Sequence, residues 1–242
     1  MVQKINDIPA ITTEEMREVD RLMIEEFRID LIRMMENAGQ NLARLCKKML
    51  AEDLIEKKVF VAVGRGNNGG GGLVAARYLH NWGAKVKVVI EGKDIIGVPL
   101  SQLSIIEKLD IEIVDQKIEI ASSKDEEADI IIDSLIGYGL KGDPKGWVAQ
   151  MIDYINGASS RIISLDAPSG LDATSGSVGN PCVKADWTMT LALPKIGLRT
   201  KEAKNIVGKL FLADIGVPRE LYRSMGIKVE SIFNKDTLIE LK

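Results

Sequence analysis

Histidine occurs once in this 242-residue chain and cysteine twice. A multi-histidine metal centre is thereby excluded, and a histidine-dependent triad has to hinge on His80, which the pattern puts at a helix end. Cys46 and Cys182 lie far apart without metal or redox spacing, so they read as a helix-core residue and a small loop or strand residue. No segment approaches the roughly 20 apolar residues that span a bilayer, and Met1–Asp7 has no apolar signal core. A cytoplasmic chain with no membrane partner is expected. Excess positive charge is also missing: 32 Lys and Arg stand against 35 Asp and Glu, for a net charge of −3. The two signs are interspersed, so no nucleic-acid partner is expected. Linkers, charge blocks and repeats are lacking too, which favours one domain over 1–242, with N-terminal helices at 12–50 packing on an α/β core at 58–215.

What is present is alternation. Thr12 with Glu15 forms a capping-box pattern ahead of Met16, Val19, Leu22, Met23 and Phe27 at helical spacing, and a second helix is expected from Asp30 to Leu50. Within it, Asn37-Ala38-Gly39 costs helix propensity and points to a close approach by another element. From Lys58 onward, strand-like runs at 58–63, 86–90, 111–114, 130–133, 161–166 and 188–193 alternate with helical stretches, notably 100–109 and 147–156. A last strand within 207–215 is expected on an edge. The pattern predicts an α/β fold: a mostly parallel central sheet with helices on both faces.

Chemistry gathers at the strand ends. Gly64-Arg65-Gly66-Asn67-Asn68-Gly69-Gly70-Gly71-Gly72 follows the first strand and opens a helix, the place where backbone N–H groups and the helix dipole receive phosphate. Asp133 ends a later strand and leads into the loop Gly137–Asp143. Asp166 ends the next, where Pro168 and Gly170 enforce a turn that aims Ser169 inward. Pro194-Lys195 offers a cation after another. In an open α/β sheet the ligand crevice lies beyond these carboxyl ends. The oxygens of Asn67, Asn68, Asp133, Asp166 and Ser169 suit a hard cation beside a phosphate. A dehydrogenase reading stays open, because Glu91 after the second strand is placed to bind a ribose hydroxyl.

Together, Met34–Gly39, Gly66–Gly70, Asp133–Leu140, Asp166–Asp172 and Leu193–Leu198 resemble the YjeF N-terminal domain family over nearly the whole chain. The resemblance implies a Rossmann-like three-layer α/β/α sandwich, usually a homodimer, with NAD(P)H-hydrate epimerase activity. It implies that Asn67, Asn68, Gly69, Gly70 and Gly71 hold the hydrated NADH or NADPH. Gly137, Tyr138, Gly139, Leu140, Lys141, Gly142 and Asp143 are implied in the same role, with Asp166 also touching the substrate. Potassium ion would be bound by Asn68, Asp133 and Ser169. Asp166 is the expected acid–base group and Lys195 its charge support. One position departs: Gly71 stands where the family carries aspartate. Either another carboxylate such as Asp166 carries the chemistry, or the domain binds a nucleotide or a partner without turnover, or the residue was changed deliberately.

Overall fold

The computed structural model describes residues 8–92, 94–115 and 128–241. The chain opens with two amphipathic helices, α1 (Thr13–Glu25) and α2 (Leu31–Met49). Thr12 and Glu15 make the reciprocal capping box at α1, and Asp30 caps α2 by accepting from the Arg33 amide. Then β1 (Lys58–Val63), α3 (Asn67–Asn81), β2 (Lys85–Ile90), α4 (Gly97–Ile106), β3 (Glu112–Asp115), β4 (Ile130–Ser134), α5 (Gly146–Gly157) and β5 (Arg161–Leu165) alternate. The chain continues through β6 (Trp187–Leu191), a short α6 (Lys204–Val207), β7 (Lys209–Ala213), α7 (Arg219–Ser224) and β8 (Leu238–Leu241).

The eight strands form one sheet in the order 3-2-1-4-5-6-7-8, parallel except for β8, which runs antiparallel to β7. Successive side chains of a strand face opposite layers. Thus Val59, Val61 and Val63 of β1 pack with Leu42, Leu73 and Leu103 of α2, α3 and α4, while Phe60 and Ala62 pack with Met151, Ile152 and Ile155 of α5. Beyond them, α1 and α7 join a further apolar cluster with Leu210 and Leu212 of β7. This is the three-layer α/β/α arrangement expected, and the order reverses between β1 and β4, where a crevice opens above the sheet.

One expectation changes. The strand at 207–215 is not an edge, because β8 pairs with it from Leu238 to Leu241, so the sheet extends past residue 215. The glycine run does open a helix, and Gly69–Gly72 lie inside α3, with Gly66 as N-cap. Glycine weakens a helix, but here the space is taken. A Cβ on Gly69 would come 1.9 Å from the Gly64 carbonyl oxygen, and one on Gly72 would come 2.0 Å from Ser134 Oγ. The close approach expected around Asn37-Ala38-Gly39 is the α2–α3 contact, where a Cβ on Gly39 would lie 2.4 Å from Val74 Cβ. Small residues let α3 sit low on β1 and β4, which brings its N-terminus to the rim of the crevice.

Candidate active site

A cleft of about 720 Å³ opens at the carboxyl ends of β1, β2, β4 and β5. Gly64, Asn67, Asn68 and Gly71 line one wall, Gly137–Gly139 another, and Asp166 faces it from the end of β5. The α3 N-terminus therefore meets the cleft with the amides of Asn67 and its neighbours, a setting for an anion. At the β2 end, Glu91 lies in the cleft wall and pairs with Arg65 at 3.1 Å.

Asp166 carries φ = +66°, the left-handed region that aspartate visits more readily than most side chains. Its amide donates to Met189 O at 2.6 Å. The carboxylate, 3% exposed, is gripped on both oxygens: Lys195 Nζ lies 2.6 Å from Oδ1, and the Tyr138 amide donates to Oδ2 at 2.8 Å. Lys195 is wholly buried and spends its remaining protons on Leu191 O at 3.0 Å and Thr190 Oγ1 at 3.4 Å. Such a pair persists only because hydrogen bonds satisfy both charges, and removal of one partner leaves the other stranded. Lys195 is not part of the cleft wall; its charge reaches the cleft through Asp166. It is held from below by the N-terminal segment, since Ile11 donates to Pro194 O at 2.9 Å and Ile196 donates to Ile11 O at 3.0 Å.

Beneath the loop, Asp133 is completely buried and accepts four hydrogen bonds: from Ser164 Oγ (2.7 Å), the Ser169 amide (2.9 Å), Ser169 Oγ (2.6 Å) and the Leu135 amide (3.2 Å). Burial pushes its carboxyl above the usual range, against those hydrogen bonds. Ser169 Oγ also lies 3.2 Å from Ile136 O, so the turn at Pro168 and Gly170 does aim it inward. Asn68 Nδ2 is buried with no hydrogen-bond partner among the described residues. Gly137 needs its missing side chain, for a Cβ there would meet Asp166 Oδ2 at 2.8 Å and Asn68 Oδ1 at 3.1 Å.

The remaining expected residues divide. Tyr138 and Lys141 line the cleft. Leu140, Gly142 and Asp143 are not in its wall, and Asp143 instead accepts from the Asn180 amide at 3.0 Å. Gly69 and Gly70 are buried in helix packing. Among the described residues no cluster of three His, Cys, Asp or Glu side chains forms a metal site, so a bound cation has to rely on mixed oxygens. His80 is in the last turn of α3, away from the cleft wall. Cys46 and Cys182 are buried free thiols, that of Cys182 pushed up to about 12 by burial.

Sequence reasoning missed two polar residues in the wall, Arg17 and Asp20, both on α1. Asp20, on α1, lines the cleft, and its Oδ2 accepts a short hydrogen bond from the Tyr138 hydroxyl. Burial raises its carboxyl above the ordinary range and likewise raises the Tyr138 phenol. Its signal was available: Asp20 stands four residues after Met16 and three before Met23, on the apolar stripe of α1.

The family model described as YjeF-related protein N-terminus matches residues 31–197. An NAD(P)H-hydrate epimerase of Dehalogenimonas lykanthroporepellens is 43% identical over 91% of this chain and 87% of that protein. One of Rhodopirellula baltica is 32% identical over 94% of this chain and 92% of that protein. A bifunctional NAD(P)H-hydrate repair enzyme of Moorella thermoacetica is 36% identical over 87% of this chain, which spans only 41% of that longer protein. In fold, the chain is similar to the crystal structure of yeast ynu0, YNL200c, with a TM-score of 0.82 at 22% identity over 97% of this chain and 100% of that one. With more than half of its length matched by the family model and a relative above 40% identity along most of it, the chain belongs to the family of YjeF-related protein N-termini.

Proposed function

We propose that this chain is an NAD(P)H-hydrate epimerase, interconverting the R and S forms of hydrated NADH or NADPH. The observation that carries this is the Asp166–Lys195 ion pair, whose carboxylate faces a cleft also walled by the α3 N-terminus. The cleft suits an elongated anionic ligand, with the pyrophosphate at the amides of Asn67 and Asn68 and the ring at Asp166. Inverting C6 requires its bond to oxygen or nitrogen to open and re-form on the other face. Held as the carboxylate, Asp166 takes the proton of the C6 hydroxyl as the bond from C6 to the ring nitrogen opens, the electron pair passing to nitrogen, and returns that proton when the bond re-forms on the other face; positioned proton transfer of this kind contributes about 10²–10⁴-fold. Lys195 acts behind Asp166, fixing its orientation and balancing its charge.

A potassium ion fits the residues present. Asn68 through its Oδ1, Asp133, Ser169 and the Ile136 carbonyl would hold it, and the support is the approach of the last three, with Ser169 Oγ 2.6 Å from Asp133 Oδ1 and 3.2 Å from Ile136 O. Bound there, it would supply positive charge near the substrate phosphate. A homodimer is part of the same proposal and is read by light scattering.

The test is chromatographic: purified hydrated NADH is incubated with the chain and with Asp166→Asn, and approach to the R/S equilibrium is followed. The expected result is conversion by the chain and loss of about 10²-fold or more in the variant; full activity in Asp166→Asn overturns the acid–base assignment. A second reading, binding without turnover, is favoured by Gly71 alone, and it predicts bound hydrate with no conversion. An NAD-dependent dehydrogenase is the weaker rival: Glu91 does line the cleft, but it is engaged by Arg65.

A further inference from the structure

We propose that Asp20 braces the catalytic carboxylate: from α1 it anchors the Tyr138 hydroxyl, and through Tyr138 it fixes Asp166 and Lys195. The catalytic part of this rests on the epimerase reading, whereas the structural part rests on geometry.

A carboxylate on the apolar stripe of an amphipathic helix is costly unless a partner meets it. Asp20 has such a partner in Tyr138, which belongs to a loop of irregular backbone between β4 and α5. Tyr138 is flanked by Gly137 and Gly139, so the local backbone has little conformational preference of its own. Its side chain is what pins it. Once pinned, its amide donates to Asp166 Oδ2 at 2.8 Å, and its ring centroid lies 5.6 Å from Lys195 Nζ. Arg17 of α1 stands 6.0 Å from the same ring. The charged groups converging here are therefore Arg17 and Asp20 from α1, Asp166 from the end of β5, and Lys195 from beyond β6. Deleting the Asp20 anchor lets the glycine-flanked peptide leave Asp166. The carboxylate then keeps only the lysine, and its second oxygen is free to rotate off the reacting centre.

Asp20 is thus a positioning residue, and its signature is a loss of kcat with little change in KM. The experiment compares Asp20→Ala, Asp20→Asn, Tyr138→Phe and the Asp20→Ala/Tyr138→Phe double variant on hydrated NADH. Asp20→Ala and Tyr138→Phe are each expected to lower kcat by about 10–100-fold, the scale of a small misplacement. The double variant is expected to be no slower than the worse single one, because both break the same link. Asparagine still accepts from the tyrosine hydroxyl, so Asp20→Asn recovers most of the loss. Wild-type kcat in Asp20→Ala, additive losses in the double variant, or Asp20→Asn as slow as Asp20→Ala each overturns the proposal. Hydrogen exchange gives a readout independent of turnover, should the wild-type chain not epimerise. Faster exchange of the amides of residues 137–140 in Asp20→Ala, restored in Asp20→Asn, supports the brace, and equal exchange in all three proteins overturns it.

Discussion

Four successive glycines inside α3 forgo about 1 kcal/mol each of helix propensity relative to alanine, so propensity alone makes Gly→Ala stabilising at every one of them. Packing reverses the sign at two positions. At Gly69 the added Cβ meets backbone, the Gly64 carbonyl at 1.9 Å, which can retreat only by lifting α3 off β1. At Gly72 it meets Ser134 Oγ at 2.0 Å, and that hydroxyl donates to Ala62 O at 2.7 Å. Overpacking costs about 1–3 kcal/mol, and loss of a buried hydrogen bond about 1–3 kcal/mol more. Less the propensity gain, Gly72→Ala is expected to destabilise by about 1–5 kcal/mol and Gly69→Ala, whose clash is with backbone and so falls at the upper end of the overpacking range, by about 2 kcal/mol. Gly70 differs because its Cβ would meet the Met35 thioether, at 2.5 Å from sulfur and 2.6 Å from Cε, the movable end of a flexible side chain. Gly70→Ala is therefore expected within about 1 kcal/mol of wild type. Urea unfolding at constant slope measures all three. The reasoning is refuted if Gly69→Ala or Gly72→Ala is stabilising, or if Gly70→Ala costs as much as they do.

Gly71→Asp puts a carboxylate in the cleft wall at the expense of shifting Leu165 Cδ2, which lies 2.7 Å from the new Cβ. Since Asp166 and Lys195 are already in place, the epimerisation rate is expected to change by less than about tenfold; turnover by the variant alone would establish the binding-only reading. Replacing potassium by choline is expected to lower both the melting midpoint and the rate, with Ser169→Ala insensitive to the exchange, as potassium titrations of each protein will show. Asp172 accepts from the Ser175 amide at 2.7 Å and the Thr174 amide at 2.9 Å, and these bonds, the Ser175 one foremost, hold its carboxyl below the usual range. Its contribution is present above the unfolded carboxylate range and lost as pH falls through the lowered folded value. Asp172→Ala is therefore expected to be less stable than wild type at pH 7, with the gap closing in strong acid.

The strands of the sheet interior were readable because strands buried on both faces are near-continuous apolar runs, as in Val59–Val63 and Ile130–Ile132. The polar residues after those runs marked Asn68 and Asp166 at the cleft and Asp133 buried beneath it, and the Pro168–Gly170 turn set the direction of Ser169. The helix opened by the glycine run was legible, but the reason for its glycines was not, because the backbone of Gly64 and the hydroxyl of Ser134 that fill the space lie outside the helix. Four-residue β8 carries too little pattern to be distinguished from a loop. Asp20 stands on the apolar stripe of α1, which marks it as unusual, but its partner Tyr138 lies far along the chain and only the tertiary fold brings the two together.

The pairing of Ile11 with Lys195 joins two segments that lie far apart in the chain, the first made well before the second. While the chain is still being made, the early segment waits without its partner and the buried lysine has no seat. On the proposed assignment, Asp166 therefore lacks its fixed lysine on a nascent chain, however well the earlier strands have folded. Contacts of such long sequence separation also slow folding, because the loop between them must close before the contact repays its entropy. An amino-terminal truncation past Ile11 and short of Met16 would remove no residue of the cleft wall and would still take away the strand partner of Lys195, the cation behind Asp166.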